Sequence, residues 1–162
     1  MLGEYESTNG VANVTNGFMD VKIKNQDLIL PELSYQIVGS LFEVSNELGV
    51  GFQEKYYYRA IKLPLEKRGL RVKTQVYLPV EFQDSKLGSY FLDFLIDDKV
   101  VLELKIGGRF KRADFDQIQA YLHATSTPLG ILARINKDGE VIYHRVLPRM
   151  QYNNSLYLRQ DS

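Results

Sequence analysis

Between Phe91 and Lys105 the chain reads Phe-Leu-Asp-Phe-Leu-Ile-Asp-Asp-Lys-Val-Val-Leu-Glu-Leu-Lys, two apolar runs around a polar trio. Branched and aromatic runs of this length, separated by turn-forming residues, specify a β-hairpin. If Asp97, Asp98 and Lys99 form the loop, Ile96 faces Val100 and, three steps further along, Asp93 faces Glu103. Partners across a hairpin share a face, and Lys105 lies two residues beyond Glu103 on that same face. Phe94, Ile96, Val100, Leu102 and Leu104 then point the other way, into a core. A two-residue loop would shift the pairing by one and separate the two acids, so the geometry depends on loop length.

The texture on either side of the hairpin defines the rest of the domain. Residues 1 to about 30 are rich in Asn, Gly, Thr and Ser without a sustained period, which reads as a poorly ordered arm with room for an edge strand at Phe18 to Ile23. From Pro31, apolar residues recur at helical steps: Leu33, Ile37, Val38, Leu41, Val44, Ser45 and Leu48, ending at Gly49-Val50-Gly51. A second helix is expected from Phe52 to Lys67, with Tyr56, Ala60, Ile61 and Leu65 on its buried side and Pro64 marking a kink or early end. After Gly69 the pattern turns extended, with strands at Leu70 to Val76, Val80 to Phe82, Ser89 to Ile96 and Val100 to Leu104, divided by Pro79, by Lys86-Leu87-Gly88 and by the Asp97 trio. A helix from Ala113 to Ala124 and strands at Leu129 to Ile135 and Val141 to Val146 complete a mixed α/β (α+β) domain over residues 31–149, with 150–162 as a C-terminal tail.

Composition removes several kinds of chemistry. The chain has 162 residues and no cysteine, which excludes disulfides, thiolate zinc sites, iron-sulfur clusters and thiol nucleophiles. His123 and His144 stand far apart, so a histidine-rich zinc site is not expected, whereas magnesium or manganese held by carboxylates is. No apolar run approaches the ~20 residues of a membrane helix, and the N-terminus lacks a signal-peptide pattern; the expectation is a soluble, cytoplasmic protein with no membrane partner. Twenty basic residues balance 20 acidic ones, so any contact with nucleic acid must come from local clusters of charge.

Two readings of Asp93, Glu103 and Lys105 stand at this point. Carboxylates flanked by Leu, Phe and Val are costly to desolvate, and a divalent ion would compensate them, lower the pKa of a bound water and stabilise charge on a phosphoryl oxygen. Alternatively the acids lie on the wet face of an antiparallel sheet with Lys105 as their ion-pair partner. Glu54, just after Gly51 in the first turn of the second helix, admits a similar choice between a functional acid and simple complementarity to the helix dipole. Gln117 and Tyr121, four apart on the following helix, share a face; they read either as a functional pair or as the edge of an amphipathic surface.

Taken together these segments resemble the GxxExxY proteins, a branch of the PD-(D/E)xK nuclease-like superfamily. The motif that names the branch stands here as Gly51, Glu54 and Tyr57. Ile37-Val38-Gly39, Glu43-Val44, Glu47-Leu48-Gly49, Gln75, Asp93, Glu103-Leu104-Lys105, Gln117 and Tyr121-Leu122 follow in the family's order and approximate spacing, from Leu33 to Val146. The resemblance implies a restriction-endonuclease-like core, a central mixed sheet flanked by helices. It further implies that Asp93 and Glu103 hold Mg2+ or Mn2+, that Lys105 serves the attacking water, and that Glu54 is the additional acid on the helix before the sheet, a further catalytic residue and metal ligand. Gln117 and Tyr121 correspond to the Q-x-x-x-Y element of RecB-like nucleases, which helps build the site and contact nucleic acid. The chain departs from the family at Ser45, where a histidine usually follows the valine, and at Asp114, where a histidine often precedes the glutamine.

A nucleic-acid substrate needs local positive charge. Lys55, Arg59, Lys62, Lys67, Arg68, Arg71 and Lys73 form one run, and Lys105, Arg109, Lys111 and Arg112 a second beside the hairpin, with Gly107 and Gly108 allowing close backbone approach. The expected activity is metal-dependent phosphodiester hydrolysis of DNA, with RNA as the other substrate. The alternative is a catalytically inactive nuclease-like fold that binds nucleic acid or protein, since a fold does not by itself confer activity. The resemblance also leaves room for a homodimer, with Leu70 to Val80 and Val141 to Leu147 as candidate free edges.

Overall fold

A computed structural model of the chain describes residues 29–149. The N-terminal arm up to residue 28, including the suggested strand at Phe18 to Ile23, and the tail from residue 150 lie outside the described residues.

Helix α1 (Pro31–Leu48) opens with proline at a position where the missing N–H costs nothing, and it buries Ile37, Val38, Leu41, Val44 and Ser45, the stripe expected from their spacing. The Gly49 N–H donates to the Ser45 carbonyl at φ 79°, a conformation that ends the helix. Helix α2 (Glu54–Lys67) starts later than its texture suggests and runs through Pro64, which stands near enough to the end to remove only a last-turn hydrogen bond. Its buried side is Tyr57, Ile61, Pro64 and Leu65. Tyr56, expected inside, is exposed, because the four-residue steps back from Leu65 and Ile61 reach Tyr57. Arg68 joins the two helices, donating to the Pro64 carbonyl and pairing with Glu43 at 2.8 Å.

Three strands follow where the texture suggested four. Strand β1 (Val72–Phe82) continues through Pro79, which faces Ser89, and β2 (Ser85–Ile96) contains Lys86, Leu87 and Gly88 that were expected to divide strands. Pro79 is accommodated because β1 is an edge strand, where one missing donor breaks no ladder on its outer side. The turn between them is instead Gln83-Asp84, both at positive φ. Strand β3 (Val100–Ile106), helix α3 (Arg112–Thr125), β4 (Leu129–Ile135) and β5 (Val141–Val146) fall where the sequence places them, to within two residues.

The sheet order is β1-β2-β3-β4-β5; β3 and β4 run parallel across the α3 crossover, and the other neighbours are antiparallel. The segments expected to carry free edges are β1 and β5, the two edge strands of this sheet. Phe94, Ile96, Val100, Leu102, Leu104, Ile131 and Ala133 pack under α1 and α2, while Leu92, Leu95, Val101 and Leu132 pack under α3 through Ile118, Tyr121 and Leu122. Central strands covered on both faces have to be apolar throughout, and β3 and β4 are nearly so. No helix among the described residues is long and apolar enough to cross a membrane.

Gly130 on β4 lets α3 approach closely: a Cβ there would meet Ile118 Cδ1 at 2.7 Å and Leu122 Cδ2 at 3.4 Å. Gly130→Ala is expected to destabilise the domain by about 1–3 kcal/mol through overpacking. Adding Ile118→Val, which deletes the clashing methyl, should recover part of the loss. Urea midpoints of the two single variants and the double variant check this, and additive losses would refute it.

Candidate active site

The site forms where β2 and β3 part. They pair at Ile96–Val100, Leu95–Val101 and Phe94–Leu102, the register a three-residue loop requires, and the ladder goes no further. Asp97 and Asp98 turn the chain at φ 51° and 55°, a conformation that aspartate tolerates better than most residues. Beyond Phe94 and Leu102, carboxylates take over from the backbone. The Leu104 N–H donates to Asp93 Oδ2 at 3.0 Å, and the Asp93 amide is directed at the Glu103 carboxylate. Asp93 thus accepts from the opposing strand, and the two strands open between the two acids.

On its other side Asp93 faces Gln75. The β1–β2 ladder passes from Thr74–Phe94 to Val76–Leu92 and omits Gln75 and Asp93, and Gln75 has φ 51°. The irregularity reverses the alternation of both strands, so Phe94 lies under α2 whereas Leu92, two residues earlier, lies under α3. Asp93 therefore sits at the switch, within reach of both layers.

Helix α2 supplies Tyr58. Its hydroxyl lies 2.8 Å from Asp93 Oδ2 and 2.7 Å from the Leu104 carbonyl oxygen, and its ring stacks on Phe94 with centroids 5.5 Å apart. One hydroxyl proton serves one acceptor at a time, so a proton on Asp93 would allow both contacts to be hydrogen bonds. Glu54 precedes Tyr58 by one helical turn and adds its charge to the same hydroxyl. Burial, then Asp93, then Glu54 push the Tyr58 hydroxyl far above the usual phenol range, so it acts as a fixed donor.

Helix α3 holds the other half. Lys105 Nζ lies 3.1 Å from Glu103 Oε1 and 3.7 Å from Asp114 Oδ1. Asp114 also accepts from the Lys111 backbone N–H at 2.8 Å, which fixes it in the first turn of α3. The Tyr121 hydroxyl is pushed up by burial and by the charges of Glu103 and Asp93, and Gln117 contacts it.

Asp93 and Glu103 are both buried. Burial, the largest influence, raises Asp93 above the ordinary carboxylate range against the hydrogen bonds from Leu104 and Tyr58. Burial and the neighbouring Asp93 push Glu103 to about 7 against the pull of Lys105. Lys105 is drawn down by its own burial, but Glu103, Asp114 and Asp93 outweigh that and hold it above the usual lysine value. Glu103 Oε2 is buried without a hydrogen-bond partner, an orphaned carboxyl oxygen beside a second carboxylate. That donor set fits a divalent cation.

The fold brings Asp93, Glu103, Lys105, Gln117 and Tyr121 together and sets Glu54 on the rim of an open cleft lined also by Lys55, Tyr58, Arg59, Gln75 and Asp93. Among the described residues no group of three His, Asp or Glu side chains stands close enough to hold an ion by itself. One or two carboxylates suffice for magnesium, which keeps several waters. The first basic run is dispersed by pairing: Arg68 with Glu43, Lys62 with Glu66, and Arg71 and Lys73 with Asp98. Lys55 and Arg59 remain in the cleft. In the second run Arg109, Lys111 and Arg112 are exposed, Arg112 lying 3.7 Å from Asp116. The sequence reading missed Tyr58 as a site residue; the available signal was its four-residue spacing from Glu54. The Tyr57 hydroxyl donates to the Gly49 carbonyl at 2.9 Å and closes the loop between α1 and α2.

The Glu103 shift has a stability signature. Because its value rises from 4.5 to about 7 on folding, the folded chain binds the proton more tightly; this contribution is complete below about 4.5 and is lost as pH rises through about 7. His144, lowered by burial, acts in the opposite sense, so the comparison must be with a variant. In chelator-containing buffer, Glu103→Gln should gain stability relative to the native chain as pH rises from about 5 to 8. Paired urea titrations check this; parallel pH curves would show that Glu103 ionises normally.

Among curated proteins none matches the chain. The chain is similar to the crystal structure of SSO0001, with 18% identity and a TM-score of 0.47 over 75% of this chain and 60% of that one. A family model described as the PD-(D/E)XK nuclease superfamily matches residues 31–146. The five-stranded mixed sheet with its three helices is consistent with the restriction-endonuclease-like fold. With that match spanning the whole described sheet and all three helices, the chain belongs to the PD-(D/E)XK nuclease superfamily.

Proposed function

We propose that this domain hydrolyses phosphodiester bonds in DNA, using Mg2+ or Mn2+ held by Asp93 and Glu103, with Lys105 as the catalytic cation. The observation that carries the reading is the pair of buried carboxylates with the unpartnered Glu103 Oε2, beside a lysine that is already charge-balanced. Two acids raised by burial are destabilising in an empty site, and a divalent cation removes that cost. When bound, the metal supplies Lewis-acid stabilisation of phosphoryl charge and a more acidic water.

The protein's own groups do the rest. Tyr58 and the Leu104 amide fix Asp93 by donating to Oδ2. Lys105, held protonated by Glu103 and Asp114, is a hydrogen-bond donor to water or to a phosphoryl oxygen and is not the acceptor of the water's proton. Lys55 and Arg59 supply positive charge for the phosphates on the open side of the cleft. Glu54, on the same rim, would act through water on a bound ion rather than as a third direct ligand. Assignment to the GxxExxY branch is supported by Gly51 at positive φ, Glu54 at the cleft and Tyr57 closing the loop before α2.

Calorimetric titration with Mg2+ and with Mn2+ tests the metal site: the native chain should bind, and Asp93→Ala and Glu103→Ala should each abolish binding. In a cleavage assay Lys105→Ala should lose at least ~100-fold in rate, the scale for removing one transition-state donor, while retaining DNA affinity. No metal binding even with DNA present would favour an inactive nuclease-like module that binds nucleic acid or protein.

A further inference from the structure

Strands β1 and β2 are paired almost to their tips, whereas β2 meets β3 at only three positions next to the Asp97 turn. The outer part of the β1–β2 hairpin therefore extends past the sheet as a two-stranded ribbon that begins at Gln75 and Asp93. One side of the ribbon is built into the fold: Leu78 and Leu92 are buried under α3, and the Tyr90 ring meets Tyr121. On the other side, the cross-strand partners Tyr77 and Phe91 are 45% and 53% exposed, with ring centroids 5.5 Å apart. Lys86 Nζ lies 5.2 Å from the Tyr77 ring centroid.

Gln75 and Asp93 line the cleft beside Lys55, Tyr58 and Arg59 of α2, and Tyr77 and Phe91 follow on the ribbon side that faces away from α3. From the buried carboxylate outward come Asp93 with Gln75, the exposed ring pair, and then an amine. Lys55 and Arg59 flank the start of this track and form no ion pair among the described residues.

Exposed rings beside basic groups are what a nucleic-acid strand with free base faces requires: phosphates take the cations and bases stack on the rings. Duplex DNA does not fit this arrangement, because its base faces are occupied by one another.

We infer that the Tyr77–Phe91 face of the ribbon is a stacking platform for unpaired nucleotides of DNA next to the scissile phosphate of the proposed Asp93–Glu103 site, so that the preferred substrate contains a single-stranded stretch. This rests on the proposed nuclease reading for the position of the phosphate, and it can be tested without catalysis.

The measurement is fluorescence anisotropy of the full chain with a short labelled oligothymidylate, and with a duplex of the same length, at fixed salt and with chelator. The native chain should bind the single strand more tightly than the duplex. Tyr77→Ala with Phe91→Ala should weaken single-strand binding by at least ~10-fold, the scale of losing one base stack, and leave duplex binding unchanged. The pair Tyr77→Phe with Phe91→Tyr keeps both rings and should bind as the native chain does, which separates stacking from any loss of fold. Equal weakening for both substrates, or no weakening, would overturn the platform. A change in sedimentation mass on ring removal, without loss of single-strand affinity, would assign the face to a second copy instead. Metal-dependent cleavage of duplex with no single-strand preference would sink the platform alone. Ring-dependent single-strand binding without cleavage would sink the nuclease reading alone.

Discussion

The hydrogen bond from the Leu104 amide to the Asp93 carboxylate, at 3.0 Å, is the hinge of this structure. In an uninterrupted hairpin that amide would bond to a backbone carbonyl and the strands would run on side by side. Taking it with a side chain ends the β2–β3 ladder at Phe94–Leu102, and the opening between the strands is the space in which both acids meet. Backbone satisfaction and the site are therefore the same contact. An interior amide must find an acceptor, and here the acceptor is a carboxylate whose remaining capacity is turned to other use.

Charge is distributed over this opening by all three layers. The sheet contributes Asp93, Glu103 and Lys105; α2 contributes a hydroxyl, and α3 contributes Asp114, which counterbalances the lysine from the first turn of the helix. Burial raises both acids, and Asp93 raises Glu103 further against the pull of Lys105. A buried group of like charges is an unstable way to build a domain and a useful way to hold a cation, and proteins commonly concentrate perturbed acids where chemistry is done.

Much of this was legible in the sequence because it follows from spacing. The Asp97-Asp98-Lys99 turn sets the register that brings Asp93 near Glu103, and the four-residue step from Gln117 to Tyr121 places both toward those acids. The strand divisions have a specific physical reason: Pro79 carries a breaker signal that the edge position of β1 makes acceptable, and Gly88 one that is acceptable where β2 pairs with β1 alone. The basic run from Lys55 to Lys73 gave a false impression of a continuous patch, because Glu43 and Asp98 come from distant parts of the chain to pair with it. Tyr58 was hidden among three consecutive tyrosines, whose division into exposed, buried and site-facing depends on the rotation of α2 about its axis.

The reversal at Gln75 and Asp93 also separates two kinds of change that the domain can undergo. Inward of that point, β2 is tied to the core on both faces, and a shift of one residue would exchange the two packing layers. Outward of it, the ribbon packs on α3 along one side among the described residues and carries its own turn at Gln83-Asp84. Residues added to or removed from the ribbon as facing pairs, two per strand, would change its reach while leaving the distances among Asp93, Glu103 and Lys105 where they are. The kink thus works as a boundary between a fixed chemical centre and an appendage whose length is free to vary in steps set by the period of a strand.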